Sequence, residues 1–322
     1  MMPASPKAAL LGEGAPKIAI AVDLYDWHAR DLTAAFARAG ALATPIRLAQ
    51  CGFDTQRKHG LVIHGFGSDL PDAVFVRAIG SGSFESVTLR LSVLHALRDL
   101  GVPVANPARA VEICVDKAAT SFALAHAKIP TPPTWAAQST DAARKILRRE
   151  ISRGPLVLKP LFGAQGFGLR LIQSEDDLPP IEAVEYVYYL QRFIGPRKDV
   201  YSDMRFFVSD GKVIGAMIRR AANWITNIKL GARPEWLEPD DALTALALRA
   251  SSAVGAQFAG VDIILDADGA PQVLEVNSMP GWRGLQKVAP FCVADRLVRD
   301  FLKHAGRAPV EEAPTSSVER VA

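Results

Sequence analysis

The stretch "GVDIILDADGAPQVLEVNSMPG", residues 260–281, has the pattern of two β-strands joined by a tight turn. Its "DG" dipeptide at 268–269 is a two-residue hairpin signal between two apolar runs. With this dipeptide at the centre of the turn, Asp262 lies directly opposite Glu275. The Cβ atoms of directly opposed side chains are ~5 Å apart on one face of the sheet. The sequence therefore predicts two carboxylates side by side on one face of a hairpin.

Asn277 adds an amide oxygen to this predicted pair, because it lies two residues beyond Glu275 and shares its face of the strand. Two opposed carboxylates repel each other unless a cation lies between them. Carboxylate and amide oxygens are hard ligands suited to Mg²⁺ or Mn²⁺. We therefore predict a metal site formed by Asp262, Glu275 and Asn277. The alternative is a hairpin whose polar face is simply solvated, and Ca²⁺ is less favoured because no EF-hand pattern is present.

A glycine-rich stretch, "VLKPLFGAQGFGLRLI" at 157–172, has the pattern of a strand, a loop and a second strand. The spacing of Gly163, Gly166 and Gly168 does not fit a Rossmann loop, which is G-x-G-x-x-G and opens a helix. A Walker P-loop needs Gly-Lys-Ser/Thr, and this tripeptide occurs nowhere in the chain. Two alternatives remain: a hairpin flap whose backbone N–H groups approach phosphates closely, or a tight glycine hairpin without a ligand.

Two lysines favour the phosphate-binding alternative. Lys159 ends the strand that leads into the glycine loop, and Lys117 directly follows Asp116, a candidate helix N-cap. A cation beside an anion-binding loop would contact phosphate. Taken singly, each lysine is better explained as a solvated surface lysine.

The order of strands and helices indicates three units. Strands and helices alternate over about 17–107, which predicts a parallel α/β sheet. A helix after Asp116 and the glycine loop form a second unit. The stretch 186–280 is rich in strands with one helix among them, so an α/β domain followed by two α+β lobes is expected.

Composition excludes several functional classes. The 322 residues carry 37 basic and 34 acidic side chains, and this net charge of +3 gives no case for nucleic acid as a partner. No apolar run approaches the ~18 residues that span a bilayer, and the N-terminal apolar run is too short for a secretory signal. The three cysteines are far apart and indicate free thiols. We therefore expect a cytoplasmic protein that binds no membrane.

These motifs, taken in order, resemble the ATP-grasp superfamily and, within it, the RimK-like carboxylate–amine ligases of the alpha-L-glutamate type. The resemblance extends over roughly 70–305. It rests on an ordered set of segments: 75–134, "VLKPLFGAQGFG" (157–168), "LQRFI" (190–194), "SDMRFFV" (202–208), "GVDIIL" (260–265) and "LEVNSMPGWRGL" (274–285).

The resemblance implies the fold class: an α/β N-terminal domain followed by an ATP-grasp fold, in which ATP lies between two α+β lobes. The expected divisions are a flexible N-terminus (1–16), the α/β domain (17–110), a small lobe with the glycine flap (111–190), a large lobe with the metal hairpin (191–305) and a flexible tail (306–322). The resemblance leaves a monomer and a homo-oligomer open.

The resemblance also implies residue roles. The expected ATP-binding residues are Lys117, Lys159, Gly163, Gln165, Gly166, Gly168, Gln191, Arg192, Phe193 and Asp203, with 191–193 giving backbone contacts to adenine. Asp262, Glu275 and Asn277 would hold two Mg²⁺ or Mn²⁺ ions. Arg205 and Arg219 are the candidate catalytic cations, and Arg220 competes with Arg219 because adjacent strand residues face opposite ways. Arg77 and Asn227 are the candidate substrate residues, although an edge salt bridge explains Arg77 equally well.

The substrate segment "WITNIKLGA" (224–232) departs from the pattern of close RimK relatives. Ile225 and Leu230 stand where those relatives carry arginine, Thr226 stands for serine, and Asn227 is kept. Trp282-Arg283 also replaces an apolar–acidic pair. Because two cations are lost, glutamate is questioned as the incoming amine.

The reaction implied by the resemblance has two steps. A substrate carboxylate attacks the γ-phosphate of ATP to give an acyl phosphate and ADP, and an amine then displaces phosphate. The acid would be a peptide, a cofactor or a small molecule, and the amine an amino acid. Two alternatives stay open: an ATP-grasp kinase that phosphorylates a small hydroxylated substrate, and a nucleotide-binding regulatory module without turnover.

Overall fold

The computed structural model describes residues 14–163, 166–195 and 200–307. Most of the predicted flexible N-terminus and tail lies outside these ranges. In the described part of the chain, no helix has both the length and the apolarity needed to cross a bilayer.

The N-terminal part is a parallel sheet of the expected α/β kind, with strand order β2-β1-β5-β6. Its strands and helices are β1 (Lys17–Ala21), α1 (Trp27–Arg38), β2 (Leu42–Ile46), β3 (Gly52–Phe53), β4 (Leu61–Val62), β5 (Ala73–Val76), α2 (Phe84–Asp99) and β6 (Val104–Ala105), where β3 and β4 form a separate small hairpin. Helix α1 begins after Asp26, whose Oδ1 accepts a hydrogen bond from Ala29 N at 2.9 Å.

The second sheet carries the glycine loop and has the strand order β7-β10-β8-β9, all antiparallel. Its elements and the two preceding helices are α3 (Ala108–Val115), α4 (Lys117–His126), β7 (Thr134–Ala137), α5 (Thr140–Glu150), β8 (Leu156–Lys159), β9 (Arg170–Ile172) and β10 (Tyr188–Arg192). The predicted N-cap is confirmed, since Asp116 accepts bonds from the N–H groups of Ala118 and Ala119.

The third sheet is a five-stranded antiparallel sheet with the order β13-β12-β11-β14-β15. Its elements are β11 (Tyr201–Ser209), β12 (Lys212–Ala221), β13 (Arg233–Leu237), α6 (Asp241–Ala253), β14 (Phe258–Leu265) and β15 (Pro271–Asn277), followed by α7 (Arg283–Gln286) and α8 (Val293–His304). The expected succession of one α/β and two α+β units is therefore present.

Buried contacts join these units. Trp282 is fully buried in an apolar cluster that contains residues of β1, α1 and α8, and its Nε1 donates to Asp31 of α1 at 2.9 Å. Helix α4 contributes Leu124 to the core of the third sheet rather than to that of the second. The residue limits of the lobes stay a prediction.

The predicted opposition of Asp262 and Glu275 is confirmed, although the predicted turn is wrong by one residue. A turn centred on 268–269 requires Leu265 to pair with Gln272, whereas Leu265 pairs with Pro271. Asp266 is the cause, because its carboxylate accepts bonds from the N–H groups of Asp268 and Ala270 and widens the turn. A register shift between positions 262 and 263 then restores the expected pair.

Candidate active site

The predicted ATP-binding residues converge on a cleft between the second and third sheets. The walls of the cleft are formed by side chains at the ends of β8, β10, β11, β14 and β15. They include Lys117, Lys159, Gly163, Gly166, Gln191, Arg192, Phe193, Asp203, Arg219, Asn227, Asp262 and Glu275, together with the apolar Val157, Leu169, Trp224, Ile264 and Leu274. Gly168 is not among the residues that line the cleft, and Gln165 lies outside the described residues.

Lys117 and Lys159 lie inside this cleft rather than on the solvated surface. The Nζ of Lys117 donates to Gly163 O at 2.7 Å, and the Nζ of Lys159 donates to Gln191 Oε1 at 2.6 Å. Burial lowers the pKa of both ammonium groups below the usual value, although the carboxylate of Glu275 opposes this shift. Two buried ammonium groups held by neutral oxygens provide positive charge for an anionic ligand.

The glycine loop lies against the segment that was predicted to contact substrate. Gly166 and Gly168 have φ values of +78° and +74°, which favour glycine. A Cβ placed on Gly166 would lie 2.4 Å from Asn227 Oδ1 and 2.9 Å from Ile225 Cγ2. The absence of a side chain is what allows the loop to approach Asn227 this closely.

The hinge at the end of β10 differs in detail from the expected backbone contacts. The N–H of Arg192 donates to Pro133 O at 2.8 Å, and the N–H of Phe193 donates to Pro155 O at 3.0 Å. The Arg192 guanidinium pairs with the buried Glu150 at 2.5 Å. Both N–H groups are bonded within the fold. The backbone groups that Arg192 and Phe193 can offer to adenine are therefore their carbonyl oxygens.

Arginines and carboxylates form a buried network at the centre of the cleft. Arg205 binds both carboxylate oxygens of Asp262, at 2.6 and 2.5 Å, and Arg219 reaches Asp262 Oδ2 at 2.9 Å. Arg219 also binds both oxygens of Asp203, one of them at 2.7 Å. The predicted contact of Asp203 with ATP stays a prediction, because this carboxylate is engaged by Arg219.

Charge in this network decides the protonation of Asp262. Burial alone would raise the pKa of its carboxyl, but the guanidinium groups of Arg205 and Arg219 hold it at about 2. Burial would likewise lower the pKa of Arg219, yet the carboxylates of Asp203 and Asp262 raise it above its usual value. Asp262 is therefore an anion at neutral pH.

The structure separates Arg219 from its competitor Arg220. Arg219 is buried in the network, whereas Arg220 forms an exposed ion pair with Glu235 at 2.8 Å. We call the surroundings of Arg205, Arg219 and Asp262, where the phosphoryl group would be transferred, the transfer centre. The buried position of Arg219 supports this residue, rather than Arg220, as a cation of the transfer centre.

The donor set fits a hard divalent cation. Glu275 lies opposite Asp262, and its Oε1 accepts a bond from Asn277 Nδ2 at 3.0 Å. The Nη2 of Arg205 lies 3.8 Å from the same Oε1 and places positive charge between the two carboxylates. No group of three or more His, Cys, Asp or Glu ligands occurs in the described ranges. A Mg²⁺ ion held by the two carboxylates and the amide would therefore need phosphate oxygens and water as further ligands.

A second, larger cleft continues from Arg205, Glu275 and Asn277 towards the N-terminal domain and has a volume of about 830 Å³. It brings Arg77 and Asn227 together, as predicted. Arg77 forms none of the ion pairs found among the described residues: its Nη1 donates to Met279 O at 3.1 Å, and its Nε is buried without a partner. The edge salt bridge considered for Arg77 is therefore wrong.

Sequence reasoning missed several residues that line this cleft. They are Asp26, His28, Lys229, Arg283 and Lys287. Asp26 and His28 follow the carboxyl end of β1, where ligands bind in open α/β sheets, so the strand pattern was the available signal. Arg283 and Lys287 face the cleft because of the short helix α7, which the sequence did not reveal.

Comparisons with known proteins agree with this architecture. A family model described as the RimK-like ATP-grasp domain matches residues 114–301. A tetrahydromethanopterin:alpha-L-glutamate ligase from Methanococcus maripaludis is 37% identical over 237 residues, which cover 72% of this chain and 79% of that protein. A probable alpha-L-glutamate ligase from Xanthomonas euvesicatoria pv. vesicatoria is 34% identical over 269 residues, covering 82% and 86% of the two chains.

Among solved structures, the ATP-grasp ligase PsnB, complexed with a phosphomimetic variant of its minimal precursor, Mg and ADP, is similar in fold. The TM-score is 0.69 at 20% identity, and the match covers 90% of this chain and 99% of PsnB. The chain belongs to the RimK-like ATP-grasp family and is an ATP-dependent, ADP-forming ligase that joins a carboxylate to an amine through a C–N bond.

Proposed function

We propose that this ligase activates a substrate carboxylate as an acyl phosphate and joins it to the amino group of an acidic amino acid, with L-glutamate as the first candidate. The observation that carries this proposal is Arg77. Arg77 is partly buried and forms no ion pair with any carboxylate of the described residues, which is costly. It lines a cleft that leads to the transfer centre. A substrate carboxylate would supply the missing anion.

The charge of the cleft supports an acidic amino acid. Lys229, Arg283 and Lys287 line it, while Asp26 and Glu275 are its only carboxylates among the described lining residues. The two arginines missing at Ile225 and Leu230 would thus be replaced in charge by Lys229 of the same segment and by Arg283 and Lys287 from the region of α7. The alpha-L-glutamate in the names of both relatives is consistent with this amine.

The cleft between the lobes would hold the nucleotide. Lys117 and Lys159 would contact its phosphates, the loop carrying Gly166 would cover them, and apolar side chains such as Ile264 and Leu274 would hold the base. Asp262, Glu275 and Asn277 would hold Mg²⁺ or Mn²⁺, which neutralises phosphate charge when bound. Two ions are proposed.

We assign to Arg205 and Arg219 the stabilisation of the negative charge that develops in the transition state. In the present arrangement both guanidinium groups bind Asp262. Both arginines line the substrate cleft, but only Arg205 forms an ion pair with Glu275, at 3.8 Å, whereas Arg219 is fixed by Asp203. Arg205 would therefore face the transferring phosphoryl group and the acyl oxygen. Such fixed cations stabilise charge that appears only in the transition state.

The proposal is tested with ATP, Mg²⁺ and a panel of acids: peptides with a free C-terminus, pterin-linked and deazaflavin-linked carboxylates, and acidic amino acids. With the right acid and hydroxylamine, the enzyme should form a hydroxamate together with ADP, since hydroxylamine captures acyl phosphates. With L-glutamate it should form an amide. A stable phosphate ester instead of a hydroxamate would contradict the proposal.

Arg77→Met should raise the KM of the acid by about 10- to 100-fold, because a buried charged hydrogen bond is lost, and should leave the KM of ATP unchanged. Arg98→Met is the control, because Arg98 is exposed near the end of α2 and lines neither cleft. Equal KM values of the acid in the Arg77 variant and the wild type would overturn the assignment of Arg77.

A further inference from the structure

His28 is a partly buried side chain in the substrate cleft, and the proposed function gives it no role. It is the second residue of α1, and its ring lies edge-on to Trp282 with ring centroids 4.7 Å apart. Its Nε2 is buried and has no hydrogen-bond partner. An unpaired buried nitrogen is costly to leave unsatisfied, which distinguishes this residue from an ordinary core histidine.

Asp26 fixes the chemical form of this imidazole. One carboxylate oxygen of Asp26 caps α1 through Ala29 N, and the other lies 3.0 Å from His28 Nδ1. Since the carboxylate can only accept, Nδ1 carries the hydrogen, and the lone pair of the neutral ring is on Nε2. The N-cap thus holds His28 in the tautomer that a general base requires.

The charged groups around His28 also favour a neutral ring. Burial and then the nearby Arg77 lower the pKa of His28 below its usual value, while Asp26 and Asp31 oppose the shift. At neutral pH the imidazole is therefore able to take up a proton.

The ligase reaction needs such a group. An amino acid enters as an ammonium ion, and only the free amine can attack the acyl phosphate. Among the described residues that line the cleft, the remaining proton acceptors are Glu275, assigned to the metal, and Asp26, already bonded to His28. His28 is the single histidine in that lining.

We propose that His28, oriented by Asp26, is the general base that deprotonates the incoming amine. The inference rests on the proposed function. The ammonium gives a proton to Nε2, the amine nitrogen forms a bond to the acyl carbon, and the bond from that carbon to the phosphate oxygen breaks. The nitrogen's second surplus proton leaves with the phosphate, which is released as hydrogen phosphate, and the imidazolium returns the first proton to solvent.

Gly281 controls access to Nε2. A Cβ on Gly281 would lie 3.2 Å from this nitrogen, so the absence of a side chain keeps a gap between the loop and the ring. Gly281 is four residues beyond Asn277, which limits their Cα separation to about 13 Å. His28, Gly281 and Asn277 line the same cleft, so an amino acid bound there would lie between the metal hairpin and His28.

The test separates acyl-phosphate formation from amine attack. Hydroxylamine is already unprotonated at neutral pH and needs no base. His28→Gln should therefore keep hydroxamate formation within about twofold of wild type, but lower kcat for amide formation with L-glutamate by about 100-fold. The deficit should shrink as pH rises, because more free amine is present. His126→Gln, an exposed position on α4, is the control.

Gly281→Ala is the second variant, since it keeps the imidazole and blocks only its Nε2. It should reproduce the selective loss of amide formation. A parallel loss of hydroxamate and amide in both variants, or normal amide formation in both, would overturn the assignment. Absence of hydroxamate in the wild type would instead contradict the proposed function.

One measurement needs no substrate. In protein labelled with ¹⁵N-histidine, the His28 signals, identified by their loss in His28→Gln, should report the Nδ1–H tautomer at neutral pH. The Nε2–H tautomer would contradict the proposal, because Nε2 would then carry no lone pair.

Discussion

Glu275 is the residue on which the metal assignment is tested most cleanly. Asp262 is less suitable, because its removal leaves two buried guanidinium groups without their partner and costs about 3 kcal/mol or more of stability. Glu275 is only partly buried and lies 3.8 Å from Arg205. Glu275→Gln should remain folded, with a melting temperature close to that of wild type, and lose turnover by at least about 100-fold.

Removal of the metal from the wild-type enzyme tests the same assignment without a substitution. EDTA should abolish ADP formation, and Mg²⁺ or Mn²⁺ should restore it. Undiminished turnover in Glu275→Gln would refute the metal assignment.

Lys159 gives the nucleotide site a pH signature. Burial lowers the pKa of this ammonium below its usual value of 10.5, and bound phosphates would raise it again. Between the lowered and the raised value, ATP binding must therefore take up a proton, and affinity must fall as pH increases. Calorimetric titration at alkaline pH, in two buffers with different ionisation enthalpies, measures this uptake.

Lys159→Met should remove part of the proton uptake, with Lys117 supplying the remainder. A binding enthalpy that does not depend on the buffer would show that these lysines do not face the phosphates.

The role of a single residue could be predicted where its side-chain chemistry and its distance from a sequence signal indicated the same function. Lys117 and Lys159 were found because each stands beside a capping or glycine signal. His28 and Lys287 were not, because nothing local to the sequence marks which surface side chains will face a cleft built from two domains.

At the scale of elements, we predict that the glycine loop controls the access of ATP to its cleft. This cleft has a volume of about 110 Å³, well below the roughly 300 Å³ of a small ligand site, so we expect the loop to move when a nucleotide enters. Gly166→Ala places a methyl group 2.4 Å from Asn227 Oδ1. It should raise the KM for ATP and lower kcat together, because closure is hindered.

Gly211→Ala is the control for backbone strain. Gly211 has a φ of +71°, close to that of Gly166, but no atom lies within 4 Å of its added Cβ. Both variants should lose similar stability, and only Gly166→Ala should lose activity. Equal kinetics for the two would make the loop a structural hairpin.

The metal hairpin shows how far an element can be predicted. Alternation and a turn signal identified the two strands and the opposition of Asp262 and Glu275. The turn differs from the prediction by one residue because Asp266 accepts hydrogen bonds from two backbone N–H groups. No local sequence pattern predicts the register shift between positions 262 and 263 that compensates for it.

At the scale of the molecule, the α/β domain is part of the active site and not an appendage. Trp282 is buried against α1 and binds Asp31, and the loop that carries it continues from the metal hairpin. The succession of sheets was predictable from the order of strands and helices. The long-range contact of Trp282 was not, because an aromatic residue in a loop carries no information about its partner.

The acyl-phosphate step is tested most directly by following the oxygen atoms of the substrate acid. When both carboxylate oxygens of the acid are ¹⁸O, activation by ATP transfers one of them to phosphorus. The released phosphate, examined by mass spectrometry, should carry one ¹⁸O per molecule of amide formed. Amide formation with unlabelled phosphate would contradict an acyl-phosphate ligase.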